Sequence, residues 1–377
     1  MQMQTNDFLS FAQSYQLIKA VGHKRTVIVM GENGVGKTSL HKALAQDPMF
    51  EQHHKLAPID CTQLSDGSVW GPDIDRELGV YRELPNERLG ISARNHKGVE
   101  GARPVLGMFD EIAKIPQYVK NMIAPILYER RVGSLLMPEG SVWFAATNLS
   151  AEGLGDSLAA HLRNRLVVIK MRKPTVDEWI NDFAIPNKLH PTLLACCQEH
   201  SMVFDSFVDY MPGGKFEGRS QEKDNPYIYN PQLVQEAYAS PRSLHAASDV
   251  LYATEGLDAD VVRIALEGTV GKPFTSVLTS FIRFGNQLPS LTEVRARPRD
   301  VAIPSNKIAQ QVQVFQFISR AESREDAEAF VTYLSRLQPE MQSLFCRRVS
   351  ESQRIGLFAS VAEFGRMLSD NKIFYKV

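Results

Sequence analysis

The residues Gly31-Glu32-Asn33-Gly34-Val35-Gly36-Lys37-Thr38-Ser39 hold the most legible chemistry in this chain. Their pattern is G-x-x-x-x-G-K-[ST]. Glycines in such a loop let backbone N–H groups curl around phosphate oxygens, and a following helix N-terminus adds partial positive charge. A lysine at the position of Lys37 reaches β- and γ-phosphates, and a hydroxyl at the position of Thr38 ligates Mg²⁺. The stretch therefore predicts a site for ATP with Mg²⁺, lined from Gly31 to Ser39.

A second group of residues suits the same chemistry. Asp110 and Glu111 follow an apolar run about 70 residues downstream. Asp110 would hold the Mg²⁺ shell, and Glu111 would polarise an attacking water. Thr147-Asn148 end a further apolar run, Val142 to Ala146, and Asn148 could orient the water or touch the γ-phosphate. Arg163 and Arg165 precede another β-branched run, and either guanidinium suits a γ-phosphate. Arg242 falls in the first turn of a helix opened by Ser240-Pro241, where the dipole does not favour it.

These residues need particular elements to position them. Thr26 to Met30 is a β-branched run, and Leu40, Ala43 and Leu44 have helical spacing, so strand, loop and helix come in the required order. Residues 7–21 predict a helix or two leading into that strand. Leu56 to Cys61 predicts a second strand, at an edge because of Pro58. Residues 64–104, rich in Gly, Pro and charge, read as an insertion loop with a short helix around Asp73–Leu78. Its end carries Arg88, Arg94, His96, Lys97 and Arg103; a solvated loop and a grip on a phosphate backbone both fit. Pro104 to Glu111 predicts a strand ending in acids, at the sheet end where ligands gather. Residues 116–131 predict a helix bent or broken at Pro125. Thr175 and Glu178 form a capping box, after which helical patterns dominate. Residues 289–305, with Pro289, Pro298 and Pro304, read as a linker, and 306–377 as an amphipathic helical tail.

Composition bounds the class. The 377 residues suffice for roughly two to three domains. With 44% hydrophobic and 23% charged residues and a net charge of -1, nothing draws the whole chain to nucleic acid or an anionic membrane. No apolar run approaches the ~18 residues of a membrane span, and the polar start predicts no secretory signal, so the expectation is a cytoplasmic protein without membrane insertion. Cys61, Cys196, Cys197 and Cys346 make no metal spacing and read as buried thiols.

Taken in order, GENGVGKTS at 31–39, MFDE at 108–111, FAATN at 144–148, HLRNRL at 161–166 and SPRSL at 240–244 resemble the AAA+ ATPases, most closely the MoxR-like and dynein-related branch. The resemblance covers about residues 15–255. It implies an α/β P-loop NTPase parallel sheet (the AAA+ core) over 1–173, an α-helical lid over 174–288, and a linker with a helical C-terminal extension over 289–377. It implies Walker A at Lys37 and Thr38, Walker B at Asp110 and Glu111, and sensor 1 at Asn148. Arg163 or Arg165 would be an arginine finger acting in trans, and Arg242 sensor 2. It further implies ATP hydrolysis with Mg²⁺ in a homo-oligomeric, hexameric ring that remodels a protein, with a von Willebrand factor A-type partner in some relatives. A DNA- or RNA-acting motor or loader is the alternative. The long region 64–104 departs from a minimal core and is the stretch expected to meet a substrate.

Overall fold

Nearly continuous apolar runs in the central strands build the sheet that carries the loop. The computed structural model describes residues 7–149, 164–211, 225–230, 236–285 and 288–372. Strand β1 (Val27–Gly31) lies between β8 (Val142–Asn148) and β9 (Val167–Met171). Strand β5 (Val105–Asp110) follows β8, and β2 (Lys55–Asp60) closes the edge, giving the order β2-β5-β8-β1-β9. All four pairings are parallel. Pro58 lies on edge strand β2, where a missing N–H is tolerated. The fold is α/β with a P-loop parallel sheet followed by a helical region, as expected.

Both sheet faces are covered, as parallel sheets require. Ile28, Ile59, Phe109, Trp143 and Ala145 share one cluster with Val119, Ile123 and Ile126 of α3 (Gln117–Glu129). Val29, Met108, Phe144 and Ala146 face the other way, toward Ile18 of α1 (Phe11–Val21) and Leu40 and Leu44 of α2 (Lys37–Ala45). One close approach fixes the β5–β8 register. Gly107 pairs with Trp143, and a Cβ at Gly107 would lie 2.4 Å from the indole.

Two expectations for this unit are corrected. The short helix expected around Asp73–Leu78 is part of an antiparallel hairpin, β3 (Trp70–Asp75) with β4 (Val80–Pro85). Its turn is closed by Asp75, which accepts from the Glu77 and Leu78 N–H groups at 3.1 and 3.0 Å, and by Gly79 at φ 64°. Helix α3 runs unbroken through Pro125, because its buried face holds it against the sheet. It ends at Arg130, which is left-handed (φ 55°) and donates to Thr26 Oγ1, Leu127 O and Gly22 O at 2.6, 2.7 and 2.7 Å. The short hairpin of β6 (Arg131–Val132) and β7 (Leu135–Leu136) follows.

The chain divides into two compact units; the first runs to Lys173 and also takes in a short segment that begins at Val208. The second begins at Pro174 and is helical. Thr175 and Glu178 form the expected capping box, and Ser240 caps Pro241–Ala253. Trp179, Leu193, Leu244, Leu278, Phe315, Phe330, Phe345 and Phe364 belong to one continuous core. The stretch expected as a linker contains helix Leu291–Ala296, and Arg295 grips Asp326 at 2.6 and 3.2 Å. All four cysteines are unpaired and buried.

Candidate nucleotide site

Helix α2 starts directly after the loop because Gly34 and Gly36 supply the left-handed turns, φ 73° and 101°. The loop therefore sits at the carboxyl end of β1, with the α2 N-terminus facing it. Gly31 is also a place of close approach, where a Cβ would come within 3.0 Å of Met171 O.

Lys37 is buried, 6% exposed, and folds back over the loop. Its Nζ donates to Gly31 O, Glu32 O and Asn148 Oδ1, each at 2.8 Å. Thr38 Oγ1 donates to Asp110 Oδ2 at 2.6 Å. Three neighbouring parallel strands thus deliver the P-loop, Asp110 and Asn148 to one crevice. Asn148 meets Lys37 itself, a contact the sequence does not reveal.

Glu111 takes the left-handed conformation, φ 56° and ψ 38°, which is costly for a residue with a Cβ. Its N–H donates to Asp110 Oδ1 at 3.0 Å, and its carboxylate pairs with Lys114 at 3.4 Å. Beneath this turn, burial and then the charges of Asp110, Asp60 and Glu111 push the Cys61 thiol up to about 12, so it stays protonated.

Oxygen donors at Thr38 and Asp110 fit a hard cation such as Mg²⁺. Glu32 is held by Lys173, Nζ to Oε2 3.2 Å, with both side chains buried; the sequence gives no sign of this pair. Three further residues were expected to serve this site, Arg163, Arg165 and Arg242. Arg165 is exposed, its guanidinium 4.8 Å from the Tyr128 ring centroid of α3. Arg163 lies outside the described residues. Arg242 belongs to the second unit, exposed in the first turn of Pro241–Ala253.

Within the basic stretch 88–103, Arg103 and Lys97 have structural partners, while Arg88 and Arg94 are exposed. Arg103 donates to Gln52 O and His54 O, both at 3.1 Å, and Lys97 pairs with Glu139 at 2.8 Å. Buried Asn95 bridges Gly90 O and Arg103.

The sequence matches no protein-family profile and no curated protein. Solved structures similar to this chain include NtrX from Brucella abortus in complex with ADP: 14% identity, TM-score 0.37, spanning 94% of this chain and 68% of that one. A point mutant of RuvB from Thermotoga maritima matches at 10% identity and TM-score 0.34, over 80% of each chain. Hsp104 with ATPγS and casein matches at 12% and 0.31, over 78% of this chain and 46% of that one. Scores this low carry no weight for function, and the site stands on its own geometry.

Proposed function

We propose that this chain is an AAA+-type ATPase that binds ATP with Mg²⁺ between the 31–39 loop and the ends of β5 and β8, and hydrolyses the β–γ anhydride. The observation that carries this reading is the pair of contacts Lys37–Asn148 and Thr38–Asp110, which joins three motifs far apart in sequence.

The residues divide the work. Backbone N–H groups of the loop and the α2 N-terminus bind phosphate oxygens. Lys37 exchanges its carbonyl acceptors for β- and γ-phosphate oxygens, and Asn148 keeps that ammonium directed at the crevice. Thr38 and Asp110 would hold Mg²⁺, which when bound neutralises charge on the phosphates. Glu111, next in the chain to Asp110, would orient the attacking water and accept its proton. An arginine at 163 or 165 would act on a neighbouring subunit's nucleotide, and Arg242 on its own, in a hexameric ring of MoxR-like type. The order of the five motifs supports this.

A protein partner is favoured over nucleic acid by the hairpin β3–β4. Ile74, Leu78, Val80, Tyr81 and Leu84 are between 40% and 67% exposed there. Four acids, Asp73, Asp75, Glu77 and Glu83, outweigh Arg76 and Arg82. Such a surface repels a phosphate backbone and suits apolar side chains.

The test is ATP turnover against protein concentration with light scattering, with and without DNA. Activity that rises as a roughly hexameric species forms supports the reading. A monomer with flat specific activity removes the ring, several-fold stimulation by DNA moves the assignment to a nucleic-acid motor, and no turnover at all removes the ATPase.

A further inference from the structure

The hairpin β3–β4 is anchored at one end and open at the other. At its base the Asn86 N–H donates to Val69 O at 3.0 Å, and Trp70 packs on the core cluster that holds Ile59 and Phe109. Toward the turn the side chains leave that core, and Ile74 and Tyr81 are 66% and 62% exposed.

The register divides the side chains between two faces. Opposed residues of an antiparallel pair share a face, and successive residues alternate. Trp70 opposes Pro85, Pro72 opposes Glu83 and Ile74 opposes Tyr81, so these share one face. Asp73 opposes Arg82 and Asp75 opposes Val80 on the other face, where Arg82 lies 3.4 Å from Asp75. Arg76 belongs to the turn. The strands therefore place no basic residue on the face of Ile74 and Tyr81. Its acid is Glu83, which is partly exposed and has no ion-pair partner among the described residues. The turn of the β6–β7 hairpin backs it: a Cβ at Gly133 would come within 2.8 Å of Glu83 Cβ and O.

We infer that this face is the docking surface for the partner, and that it takes a protein segment in which apolar side chains lie next to a lysine or arginine. The apolar side chains cover Ile74 and Tyr81, and the cation meets Glu83 at the inner end. Charge selects this occupant. On the opposite face a cation would meet Arg82, and a second copy of the hairpin would set Glu83 and its neighbouring acids against their own kind. The inference rests on the protein-partner reading above and adds the face and the chemistry.

The experiment measures anisotropy of labelled peptides at low ionic strength, with thermal unfolding of each variant as the check on folding. The first probe combines leucine and lysine in a serine background. A second has glutamate for lysine, and a third has serine for leucine. Wild type is expected to bind the first at least about tenfold more tightly than either of the others. Ile74→Ser with Tyr81→Ser is expected to weaken that binding by about tenfold. Val80→Ser with Leu84→Ser, on the opposite face, is expected to stay within about threefold of wild type. Glu83→Lys is expected to reverse the order, so that the glutamate peptide binds more tightly than the lysine peptide. Lysine and glutamate peptides that bind wild type alike, or an order that Glu83→Lys leaves unchanged, overturn the inference. So does an equal loss from the two paired variants, and so does tight binding of a DNA probe that Ile74→Ser with Tyr81→Ser abolishes. ATP turnover without peptide binding removes this docking surface and leaves the ATPase. Peptide binding as expected, without turnover, removes the ATPase and leaves the docking surface.

Discussion

Lys37 Nζ and Asn148 Oδ1, 2.8 Å apart and both buried, tie the first turn of α2 to the last residue of β8. Asn148 holds the ammonium by a neutral acceptor. Replacing it with alanine leaves Lys37 with one fewer fixed contact. Asn148→Ala is expected to lower kcat by about ten- to hundredfold with a smaller change in ATP affinity. Asn148→Asp is expected to weaken affinity instead, because a carboxylate there binds Lys37 too well. Equal affinities for the two variants, measured by equilibrium titration, would contradict this.

Glu111→Gln is expected to bind ATP near wild-type affinity and to lose at least about 100-fold in turnover, since only the group that accepts the water's proton is gone. Lys37→Ala is expected to lose affinity itself. Single-turnover measurements at saturating ATP separate the two; parallel losses of binding would argue against the roles assigned.

Gly107 has no space for a side chain against Trp143, which is fully buried and stacks on Phe109 with ring centroids 4.8 Å apart. Gly107→Ala is expected to destabilise the α/β unit by about 1–3 kcal/mol, as overpacked core sites do. Urea unfolding followed by tryptophan fluorescence reads the change directly.

His190 caps helix Pro191–Glu199 through Nδ1, which accepts the Thr192 N–H at 3.3 Å and must be unprotonated to do so. Burial first, and then the charge of Arg320, pulls this histidine down to about 4. The unfolded chain titrates near 6.5 and binds a proton between those values that the native chain refuses. Its contribution is therefore complete above about pH 6.5 and is lost progressively as pH falls to about 4. The loss is on the order of 2–3 kcal/mol. His190→Asn keeps a good cap and removes the titration. The difference in unfolding free energy between wild type and this variant should change between about pH 7.5 and about pH 5; a constant difference would refute the assignment.

The hairpin β3–β4 makes a contrasting case. Its apolar side chains are already in water, so Ile74→Ser with Tyr81→Ser is expected to shift unfolding by no more than about 0.5 kcal/mol per site and to leave unstimulated ATP turnover unchanged. Loss of basal turnover in a folded variant would show that the hairpin serves the site and not a partner.

What the sequence disclosed was what is local. The P-loop is a contiguous pattern with its own strand and helix, and β5 and β8 are apolar runs that end in polar pairs, so these elements were readable before any contact was known. The hairpin was not, because Gly71, Pro72 and Gly79 mimic loop punctuation, and both its faces are solvated, so no burial pattern marks its strands. Residues 289–305 looked like a linker for their prolines, whereas Arg295 and Asp326 join them to later helices across sequence distance. Within the site, the residue types of Lys37, Thr38, Asp110 and Asn148 were visible, and their partners were not. Lys173 in particular comes to Glu32 only through the register of β1 with β9.

The helices from Trp179 to Leu368 share one core, in which Phe315, Phe330 and Phe345 pack in the same cluster as Leu193 and Leu278. That has a consequence for descent. A tail that merely followed the earlier helices could be gained, shed or exchanged among relatives without harm. Here its loss would strip the preceding helices of part of their interior, so the two sets of helices are expected to be inherited as one piece. Homologues should be sought by that whole helical unit and not by the loop motif alone.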